Sequence, residues 1–173
     1  MAKLRMVFTE EQIRKRVAEM AQEIDAVYGD EPLVVICVLK GAVHFFSDLC
    51  RHMRNPAVEL DFVRLSSYGN ATSSSRHVTF SKDVDCDVRG KHVLVVEDVV
   101  DSGRSMRFLA AQFQAREAAT LRIAALIDKR ERREIDVQVD FIGFSLERGY
   151  IVGYGMDCAE RYRALPAVYE LLS

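Results

Sequence analysis

The sequence predicts an α/β fold with a mainly parallel central sheet flanked by helices, and three observations lead there. Apolar, β-branched runs alternate with amphipathic helical stretches, the order that βα units require. The run "LVVICVL" (33–39) is continuously apolar, as strands covered on both faces are, and "VLVV" (93–96) and "LRIAALI" (121–127) are further apolar-rich strand candidates. The length of 173 residues suits one domain, residues 1–173, because a chain of about 150 residues already buries roughly 68–70% of its unfolded surface.

Each element has its own justification. Thr9 and Gln12 fit a capping box, and Ile13, Val17, Met20, Ile24 and Val27 recur at helical spacing until Gly29 stops the turn. "LVVICVL" is the first predicted strand, and after "KG" the stretch 42–54 carries Phe45, Phe46, Leu49 and Met53 on a helical stripe. Val58, Leu60 and Phe62 alternate with Glu59 and Asp61, which predicts a strand. The polar stretch "SSYGNATSSSR" (66–76) has no periodicity, and "HVTF" after it is a candidate short strand. "KHVLVV" (91–96), the helix "SMRFLAAQFQAREA" (105–118), "LRIAALI" and "VDFIGFSL" (139–146) complete the pattern. The two chain ends are left for a small subdomain.

Composition narrows the function classes. Charged residues make up 29% and apolar ones 49%, the formal net charge is −2, and the pI is near 6.1, so there is no basic footprint for nucleic acid. No apolar run is long enough to span a bilayer, and the amino terminus lacks the apolar block of a secretory signal, which predicts a cytoplasmic protein away from membranes. Cys37, Cys50, Cys86 and Cys158 and the four histidines are scattered without zinc-ligand spacing.

The chemistry concentrates in "VLVVEDVVDSGRSM" (93–106), where an apolar strand runs into Glu97 and Asp98, then Asp101, then a small-residue turn. In a parallel sheet the carboxyl ends of the strands form the ligand crevice. The turn Asp101, Ser102, Gly103, Arg104, Ser105 offers hydroxyls and free backbone N–H groups at a positive helix end, a cradle for phosphate. Neither GxxxxGK[ST] nor GxGxxG is present. Acids beside a phosphate site make sense if they face sugar hydroxyls or a divalent cation. A plainer alternative is that Asp101 caps the helix and the acid pair is solvated.

The same fourteen residues resemble the phosphoribosyl pyrophosphate (PRPP) motif of the type I phosphoribosyltransferases. "VLKGAVHFFSDL" (38–49), "VRLSSYGN" (63–70), "LIDKRERR" (126–133), "VDFIGFSLERGYIVGYGMDCAERYR" (139–163) and "LPAVYEL" (165–171) are similar, in order, to the hypoxanthine (hypoxanthine-guanine) phosphoribosyltransferases. The resemblance implies the type I phosphoribosyltransferase fold with a small hood subdomain from the chain ends. It also implies transfer of ribose 5-phosphate from PRPP to N9 of a 6-oxopurine, with Mg²⁺ as cofactor. On that resemblance Asp101 is the general base at purine N7, and Glu97 and Asp98 face the ribose and the metal. Residues 101–105 hold the 5-phosphate, while Lys40, Gly41 and Arg163 serve the pyrophosphate, with a cis peptide at "LKG". Lys129 reads O6, Tyr150 stacks on the base, Ile151 meets its exocyclic edge, and Asp157 is a second metal contact near the purine. Ser67 and Tyr68 match a lid pair within the loop 66–81, and Arg133 is a further candidate near the pyrophosphate. Two departures stand out: "GNATSSSRH" replaces the more usual "GTxSSG", and Arg130 stands where many members have proline. The family also implies a homo-oligomer, dimer or tetramer. The competing readings are a xanthine-preferring enzyme of the same fold, which a panel of bases separates, and an RNA-binding regulator, which would want a basic face.

Overall fold

The computed structural model describes residues 3–68 and 77–172. In chain order the elements are β1 (Lys3–Phe8), α1 (Glu10–Tyr28), β2 (Leu33–Leu39), α2 (Val43–His52), β3 (Val58–Tyr68), β4 (His77–Lys82), β5 (His92–Val100), α3 (Arg104–Ala115), β6 (Thr120–Lys129), β7 (Phe141–Leu146), β8 (Ile151–Val152) and β9 (Val168–Leu172). Six strands form one sheet in the order β4-β3-β2-β5-β6-β7. All its pairs are parallel except the β3–β4 hairpin. The chain passes from β2 to β3 on one side and resumes with β5 on the other, so the strand order reverses between β2 and β5. That reversal opens a crevice at the carboxyl ends of the two strands.

The continuous apolar runs are explained by two cores, one on each face of this sheet. Leu33, Val35 and Cys37 of β2 point into a core with Ile13, Val17, Met20 and Ile24 of α1 and Phe45 and Leu49 of α2. Val34, Ile36 and Val38 point the other way, against Val93, Val95, Leu109 and Phe113. The helix ends follow the sequence signals. Thr9 and Gln12 form the capping box of α1, and Gly29, with φ of 56°, ends it by donating its N–H to the Asp25 carbonyl. Val27, placed by spacing in the apolar stripe, is 44% exposed, and Tyr28 is the buried residue of that last turn.

The chain ends form a second, antiparallel sheet in the order β1-β9-β8. These strands were not predicted individually. All three are short, and β1 finds its partner β9 only at the opposite end of the chain.

In β3, Val58 and Phe62 pack against the α1/α2 core and Glu59 is exposed, but two residues depart from simple alternation. Leu60 is 49% exposed, whereas Asp61 is buried. Asp61 is tolerated because Phe62 N–H donates to its Oδ1 at 2.7 Å, while Asp85 and Cys86 N–H donate to its Oδ2 at 2.8 and 2.9 Å. Burial opposes the charge, but these backbone donors outweigh it and hold the carboxyl below its ordinary range. A carboxyl depressed in the folded state stabilises fully above its unfolded pKa, and that contribution is lost as pH falls through the folded value. Asp61→Asn is therefore expected to flatten the acid limb of the stability profile below about pH 4. Asp61→Ala should cost about 2–4 kcal/mol, because it orphans buried donors; urea melts across pH check both.

The polar stretch is shorter than its sequence suggests. Ser66 and Thr79 face each other across the hairpin, and backbone pairing continues to Tyr68 and His77. The middle of the expected lid, residues 69–76, lies outside the described residues. No helix among the described residues is long and apolar enough to cross a membrane.

Candidate active site

The crevice between β2 and β5 is built by two turns that meet in space. β2 ends at Leu39, and the Leu39–Lys40 peptide is cis. Gly41 follows, and a Cβ there would sit 1.8 Å from Asp98 Oδ2, so only glycine lets the loop pass this close to the acid. From the other side, the Cα of Gly155, at φ of 102°, faces the Gly41 carbonyl; a Cβ would approach that oxygen to 2.0 Å. The loop after β2 is thus sandwiched between the β5 acids and the segment carrying Asp157 and Arg163.

β5 runs further than predicted, through Val100, so Glu97 and Asp98 sit within a paired strand. Glu97 is buried. Burial, then the neighbouring Asp98 carboxylate, push its carboxyl well above the ordinary range. This is not a pair of solvated acids. Nor does Asp101 cap α3, since the N-cap is Gly103 in a left-handed conformation at φ of 84°, without a side-chain cap. A Cβ on Gly103 would meet the Ile135 carbonyl at 2.4 Å. Ser102 Oγ accepts a long hydrogen bond from Arg104 N–H at 3.4 Å, and the Arg104 side chain pairs with Glu134. The turn encloses a cavity of about 100 Å³ lined by Glu97, Val99, Val100, Asp101, Ser102, Gly103, Ser105 and Met106. The larger groove of about 430 Å³ between α1, α2 and Leu165–Pro166 contains no such turn.

Beside this cradle, Lys129 ends β6 almost fully buried, and its Nζ lies 3.6 Å from Asp101 Oδ2 and 3.6 Å from Glu131 Oε2. Asp101 Oδ1 is buried without a hydrogen-bond partner in the protein. A donor-only ammonium and an unpaired carboxylate oxygen therefore stand side by side. Arg130 is mostly exposed and reaches Asp128 at 3.5 Å.

The second sheet supplies the remaining candidates. Tyr150 is 48% exposed, and its hydroxyl donates to the Asp157 carbonyl at 3.2 Å, leaving its ring available. Ile151 is buried in β8 opposite Glu170. Asp157 pairs with Arg163 at 2.8 Å and accepts from Glu160 N–H, while Arg163 also donates to the Gly155 carbonyl at 2.7 Å. Lys40 pairs with Glu160 at 3.0 Å, so Glu160 bridges Lys40 and Arg163. The sequence reading missed Glu160, although it stands three residues before Arg163. The guanidinium of Arg133 donates to the backbone carbonyls of Asp101 and Lys129, at the ends of β5 and β6. Ser67 and Tyr68 end β3 beside the crevice strands. No group of three or more His, Cys, Asp or Glu side chains among the described residues could hold a metal by itself. All four cysteines are free, and burial pushes Cys37 and Cys50 up to about 12.

Comparison with known proteins agrees with this geometry. The family model for the phosphoribosyl transferase domain matches residues 5–159. A hypoxanthine-guanine phosphoribosyltransferase of Bacillus subtilis is 42% identical, with 96% of each chain covered. A hypoxanthine phosphoribosyltransferase of Salmonella typhimurium is 42% identical over 96% of this chain and 94% of its own. The crystal structure of a hypoxanthine-guanine phosphoribosyltransferase from Bacillus anthracis, with HEPES in its active site, superimposes with a TM-score of 0.93 at 41% identity. That match covers 99% of this chain and 100% of the other. With a family-model match over residues 5–159 and near-complete alignment to these enzymes, the chain belongs to the phosphoribosyltransferase family.

Proposed function

We propose that the protein transfers ribose 5-phosphate from PRPP to N9 of hypoxanthine, and also of guanine, giving IMP or GMP and pyrophosphate in purine salvage. The observation that carries this reading is the Lys129–Asp101 juxtaposition at 3.6 Å beside a phosphate-sized turn. O6 and N7 share one purine edge, near enough for a single side chain to bridge both, so an adjacent donor and acceptor match a 6-oxopurine protonated at N7.

Each residue then has a task. Backbone N–H groups of the turn 101–105, with the Ser102 and Ser105 hydroxyls, hold the 5-phosphate at the start of α3. Lys129 donates to O6, and Asp101 takes the N7 proton as N9 attacks the anomeric carbon. Tyr150 stacks on the base, and the backbone at Ile151 meets its exocyclic edge. Lys40, Gly41 and Arg163 receive the leaving pyrophosphate, which displaces Glu160 from the two cations. Glu97 and Asp98 face the ribose, where carboxylates favour the developing sugar cation. Ser67 and Tyr68 belong to a lid that keeps water from that cation.

The acids suit a hard cation carried in with the substrate: burial, and then the neighbouring Asp98 carboxylate, destabilise the charge on Glu97, and a cation beside the pair would relieve that. Mg²⁺ keeps most of its waters and neutralises phosphate charge, with Glu97, Asp98 and Asp157 as the residues that would hold it. Product analysis tests the assignment: hypoxanthine, PRPP and Mg²⁺ should give equal amounts of IMP and pyrophosphate. EDTA should abolish turnover and added Mg²⁺ restore it; failure to form IMP would overturn the reading. Gly41→Ala should displace Asp98 and lower kcat/KM for PRPP by about 10²-fold, the scale set by a misplacement of about 1 Å, while thermal melting barely moves. The protein is proposed to work in the cytoplasm as a single-domain homo-oligomer, dimer or tetramer, which sedimentation would read directly.

A further inference from the structure

The β5–β6 ladder ends at the pair Val100 and Asp128, and beyond it the strands part toward Asp101 and Lys129. The guanidinium of Arg133 fills that fork. Its Nε donates to the Asp101 carbonyl at 2.9 Å, and its Nη2 reaches the Val100 carbonyl at 3.0 Å and the Lys129 carbonyl at 3.2 Å. The same nitrogen also meets the carboxylate of Asp128, which is only 2% exposed. One planar cation thus ties together backbone that the sheet no longer joins, and its fixed fork geometry is something a lysine ammonium lacks. The following residues secure the phosphate turn separately: Glu134 and Ile135 N–H donate to the Ser102 carbonyl at 3.1 and 3.0 Å.

We infer that Arg133 is a positioning residue that fixes the separation of the Asp101 carboxylate and the Lys129 ammonium, and so sets how sharply the enzyme distinguishes 6-oxopurines from 6-aminopurines. The inference rests on the roles proposed above for Asp101 and Lys129. The four side-chain contacts of Arg133 are to Val100, Asp101, Asp128 and Lys129, none of them in the loop after β2, and Ser102 keeps its own anchors. PRPP binding should therefore survive loss of Arg133 while alignment on the base edge suffers.

The test compares wild type, Arg133→Lys, Arg133→Gln and Asp128→Asn as full-length enzymes, with hypoxanthine and adenine at saturating PRPP and Mg²⁺. Arg133→Gln should lower kcat with hypoxanthine by about 10²-fold and reduce the hypoxanthine-to-adenine ratio of kcat/KM by about tenfold or more, one pairwise hydrogen-bond energy. The KM for PRPP should stay within about threefold, below the change expected from a lost charged contact. Arg133→Lys should fall between, because an ammonium cannot span the fork, and Asp128→Asn should shift the ratio the same way by less. Arg133→Lys is the variant least able to disturb folding, so the ratio is readable there even if Arg133→Gln melts early. An unchanged ratio in Arg133→Lys and Asp128→Asn, with any rate loss merely tracking thermal stability, would overturn the inference. If Asp101→Asn and Lys129→Ala themselves behaved as wild type, the functional assignment of those two residues would fail instead.

Discussion

Asp101→Asn is expected to lower single-turnover transfer to hypoxanthine by about 10²–10⁴-fold, the usual contribution of a positioned general base, with PRPP affinity largely retained. Asparagine keeps the shape of the side chain but cannot take a proton. The location makes the loss specific. The Asp101 side chain is partly exposed, with Oδ2 standing 3.6 Å from Lys129 Nζ while Oδ1 is buried, so Oδ2 is the oxygen placed to meet the incoming N7–H. The N-cap of α3 is Gly103, not Asp101, so the substitution removes no helix cap. The phosphate turn keeps the bonds from Glu134 and Ile135 N–H to Ser102. Nearly normal turnover by the variant in rapid-quench experiments would remove Asp101 from the proton transfer.

The second large effect concerns Lys129. Its ammonium is almost fully buried, with Asp101 and Glu131 carboxylates each 3.6 Å away, and it has only hydrogens to offer. Hypoxanthine and guanine present O6 as an acceptor, whereas adenine presents an amino donor, so two donors face each other with no water to separate them. Sites built on such a partner reject the wrong analogue by about 10⁴–10⁵, and adenine should be disfavoured on that scale. Lys129→Ala should cut hypoxanthine turnover steeply while leaving residual adenine turnover nearly unchanged, so the ratio collapses from one side. A parallel fall with both bases would show that Lys129 supports the site without reading the base.

How much of this was legible in the sequence depends on the kind of constraint. β2 was legible because all seven residues face apolar cores, and α1 because its cap and stripe agree. In β3 the alternation marks the strand but not the burial of Asp61, because only the chain turn at 85–86 brings the backbone donors that let it be buried. β1 and β9 carry no local signature, since each is a strand only by pairing with the opposite end of the chain. In the site, the ordered motif marked Glu97, Asp98, Asp101 and Lys129, because strand ends dictate where those side chains emerge. The contacts of Arg133 with Asp101 and Lys129 were not legible, because sequence order cannot tell which way a guanidinium turns after β6. Glu160 escaped notice because its role is to occupy Lys40 and Arg163, and Lys40 is 120 residues away along the chain.

The lid was only partly legible: the sequence marks a polar loop at 66–81, yet both of its flanks are paired strands.

The central claim is that the donor and acceptor at the ends of β6 and β5 together read the O6/N7 edge of a purine, and a wild-type base panel tests it most directly. Initial rates with hypoxanthine, guanine, xanthine and adenine, each with PRPP and Mg²⁺, should show efficient use of hypoxanthine and guanine. Xanthine should be used more weakly, since its extra C2 oxygen faces the carbonyl-bearing edge near Ile151 and Asp157, and adenine should be used negligibly. Adenine consumed as readily as hypoxanthine, or no nucleotide formed from any 6-oxopurine, would contradict the account.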